Sequence, residues 1–501
     1  MASPSMRSSR PLPALTLAVK PDAPLQPDAP HGTLLERLAQ ALELQGVSYC
    51  QWKGQWRAHR WATGNGDVDL LVDRDALPAF RAIAAQLGFK LTQPAGERQI
   101  PGVEHYFGLD PSVPRLLHLH VHYRLLLGDY WRRVYRIPIE GPMLERSRPG
   151  DPFRVPSTTY QFVVFVLRMM LRQVGRPLLS VQTRWLSGIQ IQLASLEAGI
   201  NREELAALLE QNLGSIELPF FERCVRSLQG DGGRLDRLVL PWQLHLRLRA
   251  HVRPPSPAAL VAAAVEKVLP VFVARAILEA GMRLPGGGVV VALIGGDGAG
   301  KSTCARELGA WLAPAFPTMR AHLGNPPKSL LTLLVGAALK LQLGLDRRLH
   351  RPSNPGSYLV LLRHICTARD RYRLYEKVRR FAVAGGVAVC ERYPVEQNRV
   401  LVGPCIPGLL PDKPGRLAGR LRKAEASYYE RILRPDVLCV LRLDPELAVI
   451  RKPEEPADYV RARGRVIWET DWSSTPAHVV DASQPLPEVI RHLKSIIWSL
   501  L

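Results

Sequence analysis

Val289-Val290-Val291-Ala292-Leu293-Ile294-Gly295-Gly296-Asp297-Gly298-Ala299-Gly300-Lys301-Ser302-Thr303 is the stretch on which the reading of this chain turns. Val289 to Ile294 is an uninterrupted apolar run, the pattern of a strand buried on both faces of a parallel sheet. Gly295 to Ser302 then fits GxxxxGK[ST], and Lys301 opens a segment with helical spacing of apolar side chains to about Leu312. Strand, glycine-rich turn and helix in that order make a P-loop, a cradle for phosphate. Gly295, Gly296, Gly298, Ala299 and Gly300 let the backbone wrap closely around phosphate oxygens, with N–H groups and the helix N-terminus turned inward. Lys301 supplies a point charge for the β- and γ-phosphates of ATP, and Ser302 a hydroxyl ligand for Mg²⁺.

Outward from that loop the pattern alternates. Strand-like runs at Arg320 to Leu323, Gly386 to Cys390, Asp436 to Leu443 and His478 to Val480 are interleaved with helical segments. A long helical region runs to Phe381, and an amphipathic helix closes the chain from Pro485 to Leu501. The expected unit is an α/β P-loop NTPase domain with a parallel sheet over residues 286–501. Before it, residues 149–285 read as a helical connector broken at Gly230 to Gly233 and at Pro254 to Pro257. Residues 33–148 read as a small α+β unit, with a helix at Leu34 to Leu44 and strands at Val68 to Val72 and Leu116 to Leu125. Residues 1–32, rich in Pro, Ser and Ala, read as a disordered tail without the compact apolar run of a signal peptide.

Composition bounds what such a chain does. At 501 residues it predicts two to four folded units. Its 47% hydrophobic and 22% charged fractions are those of a soluble globular protein. The formal charge of +21 attracts nucleotides, nucleic acid or an anionic surface, but the arginines are scattered, so they read as a solvated basic surface and no specific nucleic-acid binding is predicted. Seven dispersed cysteines without a CxxC pair argue against a disulfide framework and a zinc–thiolate site, and fit a cytoplasmic protein. The most apolar stretch, Leu330 to Leu345, is too short to span a bilayer and contains Lys340; it reads as a buried or interfacial helix.

The loop as written, GGDGAGKST, resembles that of thymidylate kinases, which also carry an acid within the loop and a Thr after the Ser; Asp297 and Thr303 stand at those positions. Ala368-Arg369-Asp370-Arg371 on a helix, followed by Gly385-Gly386, the strand Val387 to Cys390 and Glu391-Arg392-Tyr393, is similar to that family's Asp-Arg and its strand ending in Asp-Arg-Tyr. The resemblance runs from Val289 to the C-terminus, through Arg434-Pro435-Asp436, Leu443-Asp444-Pro445 and Val480-Asp481-Ala482. It implies that Arg371 and Arg392 hold an acceptor phosphate, that Asp297 positions the acceptor or the metal, and that Glu391 acts on Mg²⁺ through water. Arg451 and Arg461 fall where nucleotide kinases keep a lid over ATP. The chain departs from the family at Glu391, where Asp is usual, and at His322-Leu323-Gly324-Asn325-Pro326-Pro327, where an Arg-Glu-Pro segment is usual.

In the first unit, Trp52-Lys53-Gly54 followed by Gly66-Asp67-Val68-Asp69 resembles a nucleotidyltransferase-like family of the polymerase-beta superfamily. Asp67 and Asp69, at i and i+2 on a strand, project to one face and could share divalent metal ions. A third carboxylate is not evident; His118 stands at the best positional match, in a strand that carries His118, His120 and His122 on one face.

These residues predict an ATP-dependent, Mg²⁺-using phosphotransferase of the nucleotide-kinase type. Its acceptor is a nucleoside monophosphate or another small phosphorylated molecule, and a homodimer is left open. Two other classes stay open: a nucleotidyltransferase working through Asp67 and Asp69, and an ATP-gated regulatory binding protein.

Overall fold

The computed structural model of the chain describes residues 32–94, 99–129, 133–174, 183–231, 233, 235–253, 281–350, 356–411 and 414–501. The expected tail before residue 32, the break at Pro254 to Pro257 and the rest of 254–280 lie outside them. The architecture is mixed α/β, with two five-stranded sheets and a small three-stranded one.

The first sheet contains β1 (Tyr49–Lys53), β2 (Asp67–Val72), β3 (Lys90–Thr92), β4 (Val103–Gly108) and β5 (Leu117–His122), in the order β1-β2-β5-β4-β3. Only β2 and β5 run parallel; the other neighbours are antiparallel. The helices Leu34–Leu44 and Leu77–Gln86 cover one face with Leu38, Leu42, Phe80 and Ile83. The first of them starts at a Thr33/Glu36 capping box, which satisfies otherwise orphaned N–H groups at its end. Strands β6 (Leu126–Asp129), β7 (Arg133–Arg136) and β8 (Val252–Arg253) form the small antiparallel sheet.

Among the described residues from Thr158 to Arg247 the expected helical pattern holds, in five helices beginning with Thr158–Leu171. That helix is buried almost all round, as its run Phe162 to Leu167 requires. Its core includes Cys50, Trp52 and Leu71 of the first sheet, so one apolar core joins residues on both sides of position 148.

The second sheet is wholly parallel. It is built from β9 (Val290–Gly295), β10 (Thr318–His322), β11 (Val387–Glu391), β12 (Val437–Arg442) and β13 (Ala477–Asp481), in the order β10-β11-β9-β12-β13. Alternate residues of β9 serve two cores: Val291 and Leu293 face the helices Lys301–Leu312 and Leu486–Leu500, while Val290, Ala292 and Ile294 face Tyr375 and Val378 of the helix Tyr358–Val383. The continuous apolar run of β9 follows from those two covered faces. The first and second sheets' units touch through Phe107 and Phe316, whose rings lie 5.5 Å apart, and through Trp498 Nε1, which donates to the Gly88 carbonyl at 2.9 Å.

Of the two expectations for the apolar stretch from Leu330, buried or interfacial, the first is corrected: it is the helix Leu330–Arg348, in which only Thr332 is buried, while Leu330 is 80% and Leu334 68% exposed. Its leucines are too evenly spread around the helix for one packed face to cover them, and Lys340, Gln342 and Asp346 interrupt the stripe. None of the described helices is long and apolar enough to cross a membrane, and all seven cysteines are free.

Candidate functional site

At the C-terminal edge of the parallel sheet, β9 ends in the glycine-rich turn and the helix Lys301–Leu312 begins. Gly300 caps that helix at φ 81°, a left-handed conformation costly for any residue with a Cβ. Gly296 is fixed differently: a Cβ there would stand 3.0 Å from the Cα of Gly464, so the helix Ala457–Glu469 lies directly against the loop.

Charges converge on Asp297. Its Oδ1 accepts from Arg392 at 2.5 Å and lies 4.0 Å from Lys301 Nζ, and its Oδ2 accepts from Arg463 Nε at 2.7 Å. Asp297 and Lys301 are each only 7% exposed. Burial alone would raise the Asp297 carboxyl, but Arg392, Lys301 and Arg463 outweigh it and hold it below the ordinary carboxylate range. Lys301 donates to the Gly296 carbonyl at 2.6 Å, and burial, with Arg392 beside it, pushes its ammonium down to about 8 despite the attraction of Asp297. Three cations around one carboxylate make a strongly anion-attracting pocket in which Asp297 is the resident anion. Arg392 adopts φ 51° where β11 ends, with its N–H on the Leu293 carbonyl, so the backbone turns sharply to aim the guanidinium at the loop.

Beside this cluster the Ser302 hydroxyl donates to Glu391 Oε2 at 2.5 Å. Two hard oxygen donors at the loop are of the kind that suits a Mg²⁺ ion, and Glu391 stands close enough to Ser302 to share one. Thr303 follows in the first turn of the helix, half-buried.

The other expected residues are placed differently. Arg371 is buried, and its guanidinium bonds the Leu323 carbonyl at 2.7 Å, the Gly324 carbonyl at 3.3 Å and the Tyr429 hydroxyl. It therefore ties down the turn after β10, and Gly324 in turn lies against Arg392. Its neighbour Asp370 accepts from the Ser329 N–H at 2.9 Å and the Thr332 hydroxyl at 2.5 Å, anchoring the start of the helix Leu330–Arg348. Asp370→Ala removes the carboxylate acceptor from both groups, leaving the Thr332 hydroxyl only its bond with Ser329 Oγ, and a loss of about 1–2 kcal/mol in urea unfolding is expected; an unchanged midpoint would rule out the anchor.

Arg451 points away from the loop to the Ala482 and Ser483 carbonyls, and Arg461 pairs with Glu446 and Asp458. Arg463 is the arginine of that segment that reaches Asp297, and sequence reasoning missed it. Its signal was the adjacent Gly464, the residue small enough to let the helix meet the loop.

In the first sheet, parallel pairing of β2 with β5 sets Asp67 opposite His118 and Asp69 opposite His120. Asp67 bonds His118 Nδ1 at 2.7 Å; Asp69 Oδ1 bonds His120 Nδ1 at 3.0 Å and Lys53 Nζ at 2.9 Å. The two carboxylates share a face as expected, and each already meets an imidazole. Burial lowers the His120 and His122 pKa values, against the raising effect of Asp69 on His120.

No family model matches the chain. Over 226 residues it is 25% identical to an uncharacterized ATP-binding protein, YghR, of Escherichia coli strain K12, a match covering 42% of this chain and 86% of that protein. The protein of the same description from Escherichia coli O6:H1 matches equally.

Proposed function

We propose that this chain binds ATP at the loop Gly295 to Ser302 and transfers its γ-phosphoryl group to a small phosphorylated acceptor, with a nucleoside monophosphate as the first class to test. The observation that carries the reading is the cluster of buried Lys301 and partly buried Arg392 and Arg463 around the buried Asp297, at the mouth of a strand–glycine turn–helix unit. The similarity to an ATP-binding protein supports the donor. The loop N–H groups and Lys301 would hold the β- and γ-phosphates. An incoming polyphosphate competes with Asp297 for the cations, and Arg463, on a helix seated against the loop, would cover the triphosphate. Arg392, at the end of the neighbouring strand, would hold the acceptor phosphate in line with the γ-phosphorus. An acceptor oxygen forms its bond to that phosphorus as the β–γ bridge breaks, and ADP leaves. Ser302 and Glu391 would hold Mg²⁺, which when bound neutralises charge on the β- and γ-oxygens. Arg371 would act through the turn at Leu323 and Gly324, fixing the wall against which Arg392 rests.

The test is ADP formation across a panel of nucleoside monophosphates, thymidylate included. Acceptor-dependent ADP supports the kinase reading; tight ATP binding with no turnover for any acceptor would move the chain to a regulatory class.

The lowered Lys301 pKa sets a pH dependence. In the free protein the burial penalty on its charge is fully present below about pH 8 and is relieved as the pH rises through the unfolded value, so this group makes the fold relatively more stable in base. Nucleotide binding has the opposite sign, because phosphates favour the protonated ammonium. ATP affinity is expected to be level up to about pH 8 and to fall by up to about tenfold per unit above it. Lys301→Arg, charged throughout, should flatten that slope; a wild-type affinity constant to pH 9.5 contradicts it.

A further inference from the structure

The histidines of β5 are the largest cluster of chemistry-bearing side chains that the nucleotide reading leaves unused. Asp69 on β2 and His120 and His122 on β5 project from one face of two adjacent parallel strands, since residues at i and i+2 share a face. Each of the three offers a ligand atom within 4.8 Å of the others. All three are buried, His122 completely, and neither ring nitrogen of His122 completes a hydrogen bond of ordinary geometry. The Arg124 backbone supplies a hydrogen-bonding contact to that ring short of ordinary geometry. A buried imidazole so weakly met is costly unless something else satisfies it. His122 Nε2 stands 4.0 Å from Asp69 Oδ1, a gap that a cation between them would bridge after a small rotation of either side chain.

The surroundings hold these rings in place. Trp52 meets His122 edge to face at 5.0 Å, and His105 of β4 stacks on His120 at 4.5 Å. Lys53 Nζ sits 2.9 Å from Asp69 Oδ1, an ammonium on the oxygen a metal would take.

We propose that Asp69, His120 and His122 bind a divalent transition-metal ion of the zinc class. Two nitrogens and one carboxylate oxygen are a poor set for Mg²⁺, which prefers hard oxygens in an octahedral shell, and a good one for Zn²⁺. The donor set differs from the pair Asp67 and Asp69 that the sequence offered for divalent metal ions. Asp67 is committed to His118 on the more open side of the cluster. Three protein ligands leave a coordination position for water or an anionic ligand. The site is independent of the loop at 295–302, and its test does not depend on turnover.

The full chain, stripped with a chelator and desalted, is titrated with Zn²⁺ and with Co²⁺, with metal content measured by mass spectrometry. One tightly held Zn²⁺ per chain is expected, unaffected by millimolar Mg²⁺, with Co²⁺ giving ligand-field bands and no thiolate charge transfer. Asp69→Asn and His122→Gln should each weaken Zn²⁺ by about tenfold or more. Lys53→Met, which frees the Asp69 oxygen, should bind at least as tightly, a result that misfolding cannot mimic. The proposal is overturned by the absence of stoichiometric binding, by binding that survives both ligand substitutions, by weaker binding in Lys53→Met, or by a Co²⁺ thiolate band lost in Cys405→Ser. That last result would place the metal at His364, Cys405 and Glu425 instead.

Discussion

Lys301→Ala is expected to lower acceptor-dependent ADP formation by about 10²-fold or more while leaving the fold intact. The side chain is buried and bonds the Gly296 carbonyl, so its removal takes from the loop both a positive charge and an internal tie. Asp297 keeps Arg392 and Arg463 as partners, and the truncation leaves no uncompensated buried charge. The loss should therefore fall on phosphate chemistry and not on folding. Steady-state rates read beside thermal unfolding separate the two. A variant that turns over at the wild-type rate would remove Lys301 from the transfer step, and one that does not fold would show that the tie to Gly296 is its main work.

Arg392 carries the second large effect, and its backbone allows the side chain's role to be isolated. At φ 51° a residue other than glycine is held at a cost of about 1 kcal/mol or more. Arg392→Gly relieves that cost yet deletes the guanidinium, so the variant should fold at least as well as wild type and still lose about 10²-fold in rate. Arg392→Lys keeps the charge but not the planar fork, and should recover only part of the loss. The deficit is expected to lie in both KM for the acceptor and kcat, since the same fork bonds Asp297 and faces the position assigned to the acceptor phosphate. Arg392→Gly with unaltered kinetics would mean that the positive φ serves the strand end alone.

What could be read from the chain follows what is local. The run Val289 to Ile294, the glycines after it and the helix at Lys301–Leu312 are each specified by neighbours in sequence, and the structure places all three where the pattern puts them. The helix at Leu34–Leu44 is similarly legible from its cap and periodicity. The pairing of Ser302 with Glu391 could be anticipated only through family resemblance, because 89 residues separate them. Arg463 escaped because choosing among the arginines between 451 and 465 requires the rotational phase of a helix whose position is set by Gly464 meeting Gly296. His105 escaped for a related reason: β4 lies between β5 and β3 in the sheet, and no local pattern reveals that it stacks against His120. The exposure of Leu330–Arg348 is a case where composition left burial undecided, since apolar content does not by itself supply a surface to cover it.

The central claim is that phosphate, not base or sugar, is what the loop at 295–302 recognises. Calorimetric titration of the full chain with ATP, ADP, AMP and adenosine, in Mg²⁺, tests it most directly. The account predicts one site per chain, with affinity falling from ATP through ADP to AMP and adenosine bound at least about 10²-fold more weakly than ATP, because the cations around Asp297 meet only the β- and γ-phosphates. Adenosine bound as tightly as ATP, or no ATP binding at all, would contradict it.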